Sequence, residues 1–109
     1  MNKFRSHNCN DLRKKDVGKK VLLSGWINKK RDHGNILFLD LRDNYGITQC
    51  VIDGTQSLFE EISKLSNESV ITISGEVVKR SDETINKNLD TGEIEIKIQD
   101  YKILSKSEI

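Results

Sequence analysis

Residues 36–43 read ILFLDLRD. Leu37, Leu39 and Leu41 alternate with Ile36, Phe38, Asp40 and Arg42, the period of a strand with one apolar and one mixed face. Phe38 is the anomaly, because its ring shares a face with a carboxylate and a guanidinium. Two readings stand at this point. The ring is an exposed platform, or it joins Ile36 and Val51 in a second apolar cluster under a helix or loop.

Working outward, residues 32–35 (DHGN) and 43–46 (DNYG) are turns by composition. Residues 19–31 before the first turn alternate Val21, Leu23, Gly25 and Ile27 against Leu22, Ser24, Trp26 and Asn28. Gly25 marks a bulge or sharp bend inside that strand. Residues 47–53 (ITQCVID) form a third strand, with Thr48, Cys50 and Ile52 on one side and Ile47, Gln49 and Val51 on the other. A helix is expected over 55–65, with Leu58, Ile62 and Leu65 on one stripe and Thr55 or Ser57 as its cap. Residues 68–80 are a fourth strand containing Gly75, and 81–92 a polar loop. Residues 93–104 are the last strand, with Ile94, Ile96 and Ile98 facing in. A short helix or turn is expected over 10–18, started by Asn10 and stopped by Gly18.

The element order is β-β-β-α-β-β behind a short N-terminal helix. Five strands, a helix between the third and fourth, and glycines inside the first and fourth strands match an all-β OB-fold, a small Greek-key barrel. An SH3-like barrel and an α+β sandwich are the competitors, and the inserted helix favours the OB-fold.

The chain of 109 residues is expected to be one small domain. Its 35% hydrophobic and 32% charged residues are ordinary for a globular chain. No apolar run approaches the ~20 residues of a bilayer span, and the first fifteen residues lack the apolar core of a secretory signal. A cytoplasmic address is expected. Cys50 reads as a core residue and Cys9 as a surface thiol or helix-lead residue, and a cytoplasmic address argues against their pairing. No cysteine–histidine spacing suits zinc, and no catalytic constellation or phosphate-binding loop is present. On its residues alone the chain is a binding module without metal or cofactor.

Charge is unevenly spread. Residues 1–34 carry ten Lys/Arg against three Asp, and residues 35–109 carry eight against fourteen Asp/Glu. A basic end on a near-neutral chain suits an acidic partner such as nucleic acid, although a solvated lysine-rich end reads the same way. OB-folds bind single strands across strands 2 and 3. There Phe38 could stack on a base, and Gln49 could offer a donor and an acceptor to its edge. Lys29, Lys30 and Arg31 lead into the first loop, where cations would neutralise phosphates. His33 reads as a turn residue on spacing alone. Arg80 and Asn86 flank the long loop. Glu93 and Glu95 face out near the groove, where a carboxylate could accept from a guanine; for at least one of them plain solvent exposure is the simpler reading.

The residues SGWINKKRDHGNILFLDLRDNYGITQCVID, with VGKKVLLSGW before them and GEVVKR after, resemble the N-terminal anticodon-binding domain of bacterial-type aspartyl-tRNA synthetases. The spacing from Gly25 through Trp26, Asp32, Gly34 and Phe38 to Asp43 is that of the aspartyl, asparaginyl and lysyl group of class II synthetases. The segment NKNLDTGEIE (residues 86–95) points to the bacterial aspartyl branch. The resemblance implies an OB-fold that reads the unwound anticodon loop of tRNA. Phe38 would stack on the central uracil and Gln49 would bond its edge. Arg31 would contact bases or backbone, and Glu93 or Glu95 would meet the first base, a guanine. Arg80 and Asn86 would line the loop side.

Two positions depart from the family pattern. Thr84 stands where some relatives carry Asn. His33 stands where strict aspartyl enzymes often have Leu, and members that charge both tRNA(Asp) and tRNA(Asn) tend to have His. The family continues into a catalytic domain that uses ATP and Mg²⁺ and is expected to be a homodimer mainly through regions outside this segment. The 109-residue chain is either an excised domain, the favoured reading, or a natural stand-alone homologue, and in both cases is expected to be inactive alone. The alternatives are a generic single-strand-binding OB module, a protein-interaction OB module, and the lysyl or asparaginyl relative.

Overall fold

The computed structural model describes residues 5–105. Among them five strands close into a barrel: β1 (Lys20–Asp32), β2 (Ile36–Arg42), β3 (Ile47–Asp53), β4 (Val70–Lys79) and β5 (Ile94–Ser105). Their order around the barrel is β1-β2-β3-β5-β4. Neighbours are antiparallel except β3 and β5, which pair in parallel through Cys50↔Ile96 and Val51↔Lys97. This is the five-stranded OB architecture expected from the sequence.

Closure depends on β1, which serves two partners. Residues Lys20 to Trp26 pair with β4, and Trp26 to Asp32 pair with β2. At the changeover Gly25 lets β1 pass close over β2, since a Cβ there would lie 2.3 Å from the Arg42 carbonyl oxygen. Gly75 does the same for β4 against the Lys97 carbonyl, also at 2.3 Å. The register break in β1 falls between Ile27 and Lys29, not at Gly25. It inverts the strand's parity. Val21, Leu23 and Ile27 are buried before the break. After it Lys30 and Asp32 stand opposite the buried Leu39 and Leu37, while Lys29 and Arg31 stand opposite Asp40 and Phe38. A one-residue bulge thus moves Arg31 onto the outer face.

The core is built from the inward positions of all five strands. Leu23, Ile27, Leu39, Leu41, Ile73, Ile94, Ile96 and Ile98 are each fully buried, at roughly 1.5–3 kcal/mol per side chain. Cys9 and Leu12 are also fully buried, so Cys9 is a core residue rather than the surface thiol expected. Both cysteines are free, and burial raises both thiols well above the ordinary thiol range.

The helices are shorter than the apolar periodicity suggested. The N-terminal one is a single 3-10 turn, Lys14–Asp16, entered from Arg13. Asn10 does not cap it, because its carbonyl and side-chain oxygens accept from the Arg13 guanidinium instead. The inserted helix α1 spans only Phe59–Ser63 and follows Leu58 without a side-chain cap. Thr55 is diverted to the turn after β3, where its N–H and hydroxyl both donate to Asp53 Oδ1. Ile62 and Leu65 still join the core, as the stripe required.

Candidate nucleic-acid interface

Alternation in β2 and β3 places Phe38, Asp40 and Arg42 beside Val51, Gln49 and Ile47 on the outside of the barrel. Phe38 is half-buried and sits in register with Arg31 on one side and Val51 on the other. His33 meets it edge-on, with ring centroids 5.4 Å apart and planes at 89°. The Arg31 guanidinium carbon lies 6.0 Å from the Phe38 centroid. The ring is therefore held from the loop side and the strand side, while its half-exposure leaves surface for a partner. Beside it, Ile36, Val51, Val78 and the stem of Lys97 line a shallow pocket of about 140 Å³.

Next to the ring runs a chain of polar contacts. Arg31 donates to both carboxylate oxygens of Asp40, at 2.9 and 3.1 Å, and to Gln49 Oε1 at 2.7 Å. Gln49 in turn donates from Nε2 to Glu95 Oε1 at 2.8 Å. The amide of Gln49 is thus fixed, its oxygen toward a cation and its nitrogen toward an anion. Gln49 is only 6% exposed although it lies on the outer face, because these long side chains cover it.

The remaining candidates separate. Glu95 joins the network, whereas Glu93 is exposed. Lys29 is exposed on the outer side, without an ion pair among the described residues. Lys30 is turned toward α1, where its ammonium donates to the carbonyl of Ser63 at 2.9 Å and to that of Leu65. Desolvation there lowers its pKa below the ordinary lysine value. Arg80 is 4% exposed and lies beneath the β4–β5 loop rather than along it. Its Nε donates to the Ile94 carbonyl at 2.9 Å and its Nη1 to that of Thr84 at 3.0 Å. Nη2 is buried without a partner among the described residues. Burial lowers its pKa, and the negative charges of Glu95 and Asp40 oppose that shift. Asn86 shapes the loop: its N–H donates to Gly92 O at 3.0 Å and its Oδ1 accepts from Asn88 N at 2.9 Å.

Sequence reasoning missed Asp40 as a member of the site. The signal was available in the pairing, since Asp40 stands opposite Gln49 and one position along from the Arg31–Phe38 pair. Among the described residues no three His, Cys, Asp or Glu side chains gather as a metal site. No helix among them is long and apolar enough to cross a membrane.

A closed five-stranded barrel in the order β1-β2-β3-β5-β4, with a half-buried ring and a fixed amide on its β2–β3 face, is an OB-fold. Residues 21–104 match the tRNA anticodon family, described as an OB-fold nucleic acid binding domain, and the chain belongs to that family. It is 58% identical over 104 residues to an "Aspartate--tRNA(Asp/Asn) ligase" of Pelagibacter ubique, covering 95% of this chain and 18% of the relative. It is also 58% identical over 108 residues to the ligase of the same name from Bartonella tribocorum, covering 99% of this chain and 18% of the relative. The chain thus spans less than a fifth of the length of these relatives. Among solved structures it resembles the asparaginyl-tRNA synthetase of Pyrococcus horikoshii complexed with asparaginyl-adenylate. That likeness has a TM-score of 0.77 at 26% identity, over 94% of this chain and 23% of the other.

Proposed function

We propose that this chain reads the anticodon loop of tRNA on behalf of an aspartate–tRNA ligase that serves both tRNA(Asp) and tRNA(Asn). The observation that carries it is the adjacency of Phe38 and Gln49 on the outer face, with the Gln49 amide held between Arg31 and Glu95. A ring supplies stacking to any base. A fixed amide beside it adds the base selectivity that a generic single-strand binder does not need. The names of the relatives support the amino acid and the dual tRNA use.

In this reading Phe38 stacks on the central uracil, Gln49 bonds its edge, and Arg31 and Asp40 orient Gln49. Glu95 faces the first base, a guanine, with Glu93 at the rim. His33 meets the third base. Lys29 neutralises phosphate; Arg80 and Asn86 hold the loop that closes the groove. The parent attaches L-aspartate to tRNA with ATP and Mg²⁺, in the cytoplasm, as a homodimer. In this reading ATP and Mg²⁺ serve the catalytic part of the parent and not the anticodon-reading face.

The test is a titration of the chain, at one fixed salt, with stem-loops carrying GUC, GUU and an unrelated anticodon. Similar binding of GUC and GUU, both tighter than the control, supports dual reading. Preference for GUC alone supports an aspartyl-only domain. Equal binding of all three removes base reading and leaves electrostatics.

A further inference from the structure

A cavity of about 370 Å³ opens at the far end of the same sheet face. It is lined by Arg42 at the end of β2, Asn44 and Tyr45 of the β2–β3 turn, Asn10 of the N-terminal segment, and Asn88 and Asp90 of the β4–β5 loop. From this geometry we infer a subsite for one further nucleotide of the bound RNA strand, outside the anticodon triplet. The inference rests on the anticodon reading above.

Continuity is the first argument. Arg42 stands on the outer face in line with Phe38 and Asp40, four residues along β2 and so about 13 Å from Phe38. A strand lying over Phe38 and Gln49 and running along β2 arrives at this cavity.

Chemistry is the second. Unlike Asp40, Arg42 is exposed and makes no ion pair or side-chain hydrogen bond among the described residues. A free guanidinium beside a groove is suited to phosphate. Tyr45 is 56% exposed, and the Arg5 guanidinium carbon lies 5.5 Å from its ring centroid. The rest of the ring surface is open to a base. Asn44 and Asn88 offer amides to a base edge or ribose, and the exposed Asp90 can accept from a base amino group.

Rigidity is the third. The Asp43 carboxylate accepts from the N–H groups of Cys9 at 2.8 Å, Tyr45 at 2.8 Å and Gly46 at 3.1 Å. Asp43 is thereby consumed in holding the turn against the N-terminal segment. Thr91 Oγ1 donates to the Ile47 carbonyl at 2.5 Å and anchors the β4–β5 loop to β3. The walls are in place before any ligand arrives, which limits the ordering cost of binding.

The experiment compares the chain with its Tyr45→Leu, Arg42→Gln and Phe38→Ala variants on a GUC stem-loop. An abasic nucleotide, or a neutral methylphosphonate linkage, is walked through the loop outside the triplet. Tyr45→Leu is expected to weaken the intact stem-loop roughly ten-fold, and one abasic position should erase the difference from wild type. Arg42→Gln should weaken it several-fold, and one methylphosphonate linkage should erase that difference. If Phe38→Ala weakens binding while the other two bind as wild type, the subsite is wrong and the anticodon reading stands. Losses that persist with every modified loop also overturn it. If Phe38→Ala binds as wild type, or the wild type does not prefer GUC to an unrelated anticodon, the anticodon reading fails and the subsite falls with it.

Discussion

The guanidinium of Arg31 lies across the carboxylate of Asp40 with two nearly parallel bonds of 2.9 and 3.1 Å. Nη2, which donates to Asp40 Oδ1, also donates to Gln49 Oε1 at 2.7 Å. Asp40 therefore sets the orientation of an amide it does not touch. The pair is partly open to solvent, with side chains 31% and 17% exposed, so its worth to stability is small. Asp40→Asn is expected to cost less than about 1 kcal/mol in denaturant unfolding. The same variant should lose several-fold of its preference for GUC over an unrelated anticodon, as Gln49 becomes free to flip. Unchanged selectivity would mean that the Arg31–Asp40 pair does not orient the reader.

Lys29 and Lys30 are adjacent, yet the two should behave as different kinds of residue. Lys30 closes the end of α1 by donating to the carbonyls of Ser63, its last residue, and of Leu65, two residues beyond. Lys30→Met should lower stability by roughly 1–2 kcal/mol and leave the salt dependence of RNA binding unchanged per folded molecule. Lys29→Met should leave stability alone and reduce the salt slope by about one counterion. A reduced slope for Lys30→Met would show that the ammonium leaves α1 when RNA arrives.

Asp16 ties the N-terminal 3-10 turn to the residues on either side of it, Arg13 before and Lys19 just ahead of β1. Its carboxylate accepts from Lys19 Nζ at 2.8 Å and from Arg13 N at 2.9 Å. The Lys19 bond, then the Arg13 bond, hold its pKa below the ordinary carboxylate value. A carboxyl depressed in the folded state binds fewer protons there than when unfolded. Its stabilisation is therefore complete above the unfolded value, near about 3.9, and is lost as pH falls through the folded one. The stability gap between wild type and Asp16→Asn should be constant from neutral pH down to about 5 and narrow below about 4. A gap that stays constant to low pH would show that the carboxylate gains nothing from these two bonds.

Much of the barrel was legible because one face of each strand is buried, so alternation carries the signal. Ile94, Ile96 and Ile98, and Leu37, Leu39 and Leu41, are inward as their spacing required. Helix length was not legible, because Asp53 competes for Thr55 at a point where periodicity still reads as helix. Gln49 was placed on the correct side of β3, but its burial was hidden. The side chains that cover it come from 18 and 46 residues away in the sequence. The run Lys29-Lys30-Arg31 looked uniform. Only the register break after Ile27 sorts it into two outward cations and one committed to α1. Arg80 was assigned to the loop, and three-dimensional packing puts it underneath.

His33 is the residue on which the choice between one tRNA and two should turn. Its ring stands edge-on to Phe38 at 5.4 Å, at the mouth of the first loop. The anticodons GUC and GUU differ only in the third base. Cytosine presents an amino donor there, and uracil presents a carbonyl acceptor in the same place. A neutral imidazole carries one donor and one acceptor nitrogen, so a small rotation or a change of tautomer lets it serve either base. Leucine serves neither, and it also removes the aromatic edge that braces Phe38, worth about 0.5–1.5 kcal/mol. Leu often stands at this position in the strict aspartyl enzymes that the sequence resembles, so His33→Leu is expected to weaken both stem-loops, GUU more than GUC, and the ratio of their affinities should rise several-fold. Parallel titrations of the two stem-loops measure that ratio directly. If both affinities fall by the same factor, His33 acts only as a brace for Phe38, and the dual reading must come from elsewhere on the face.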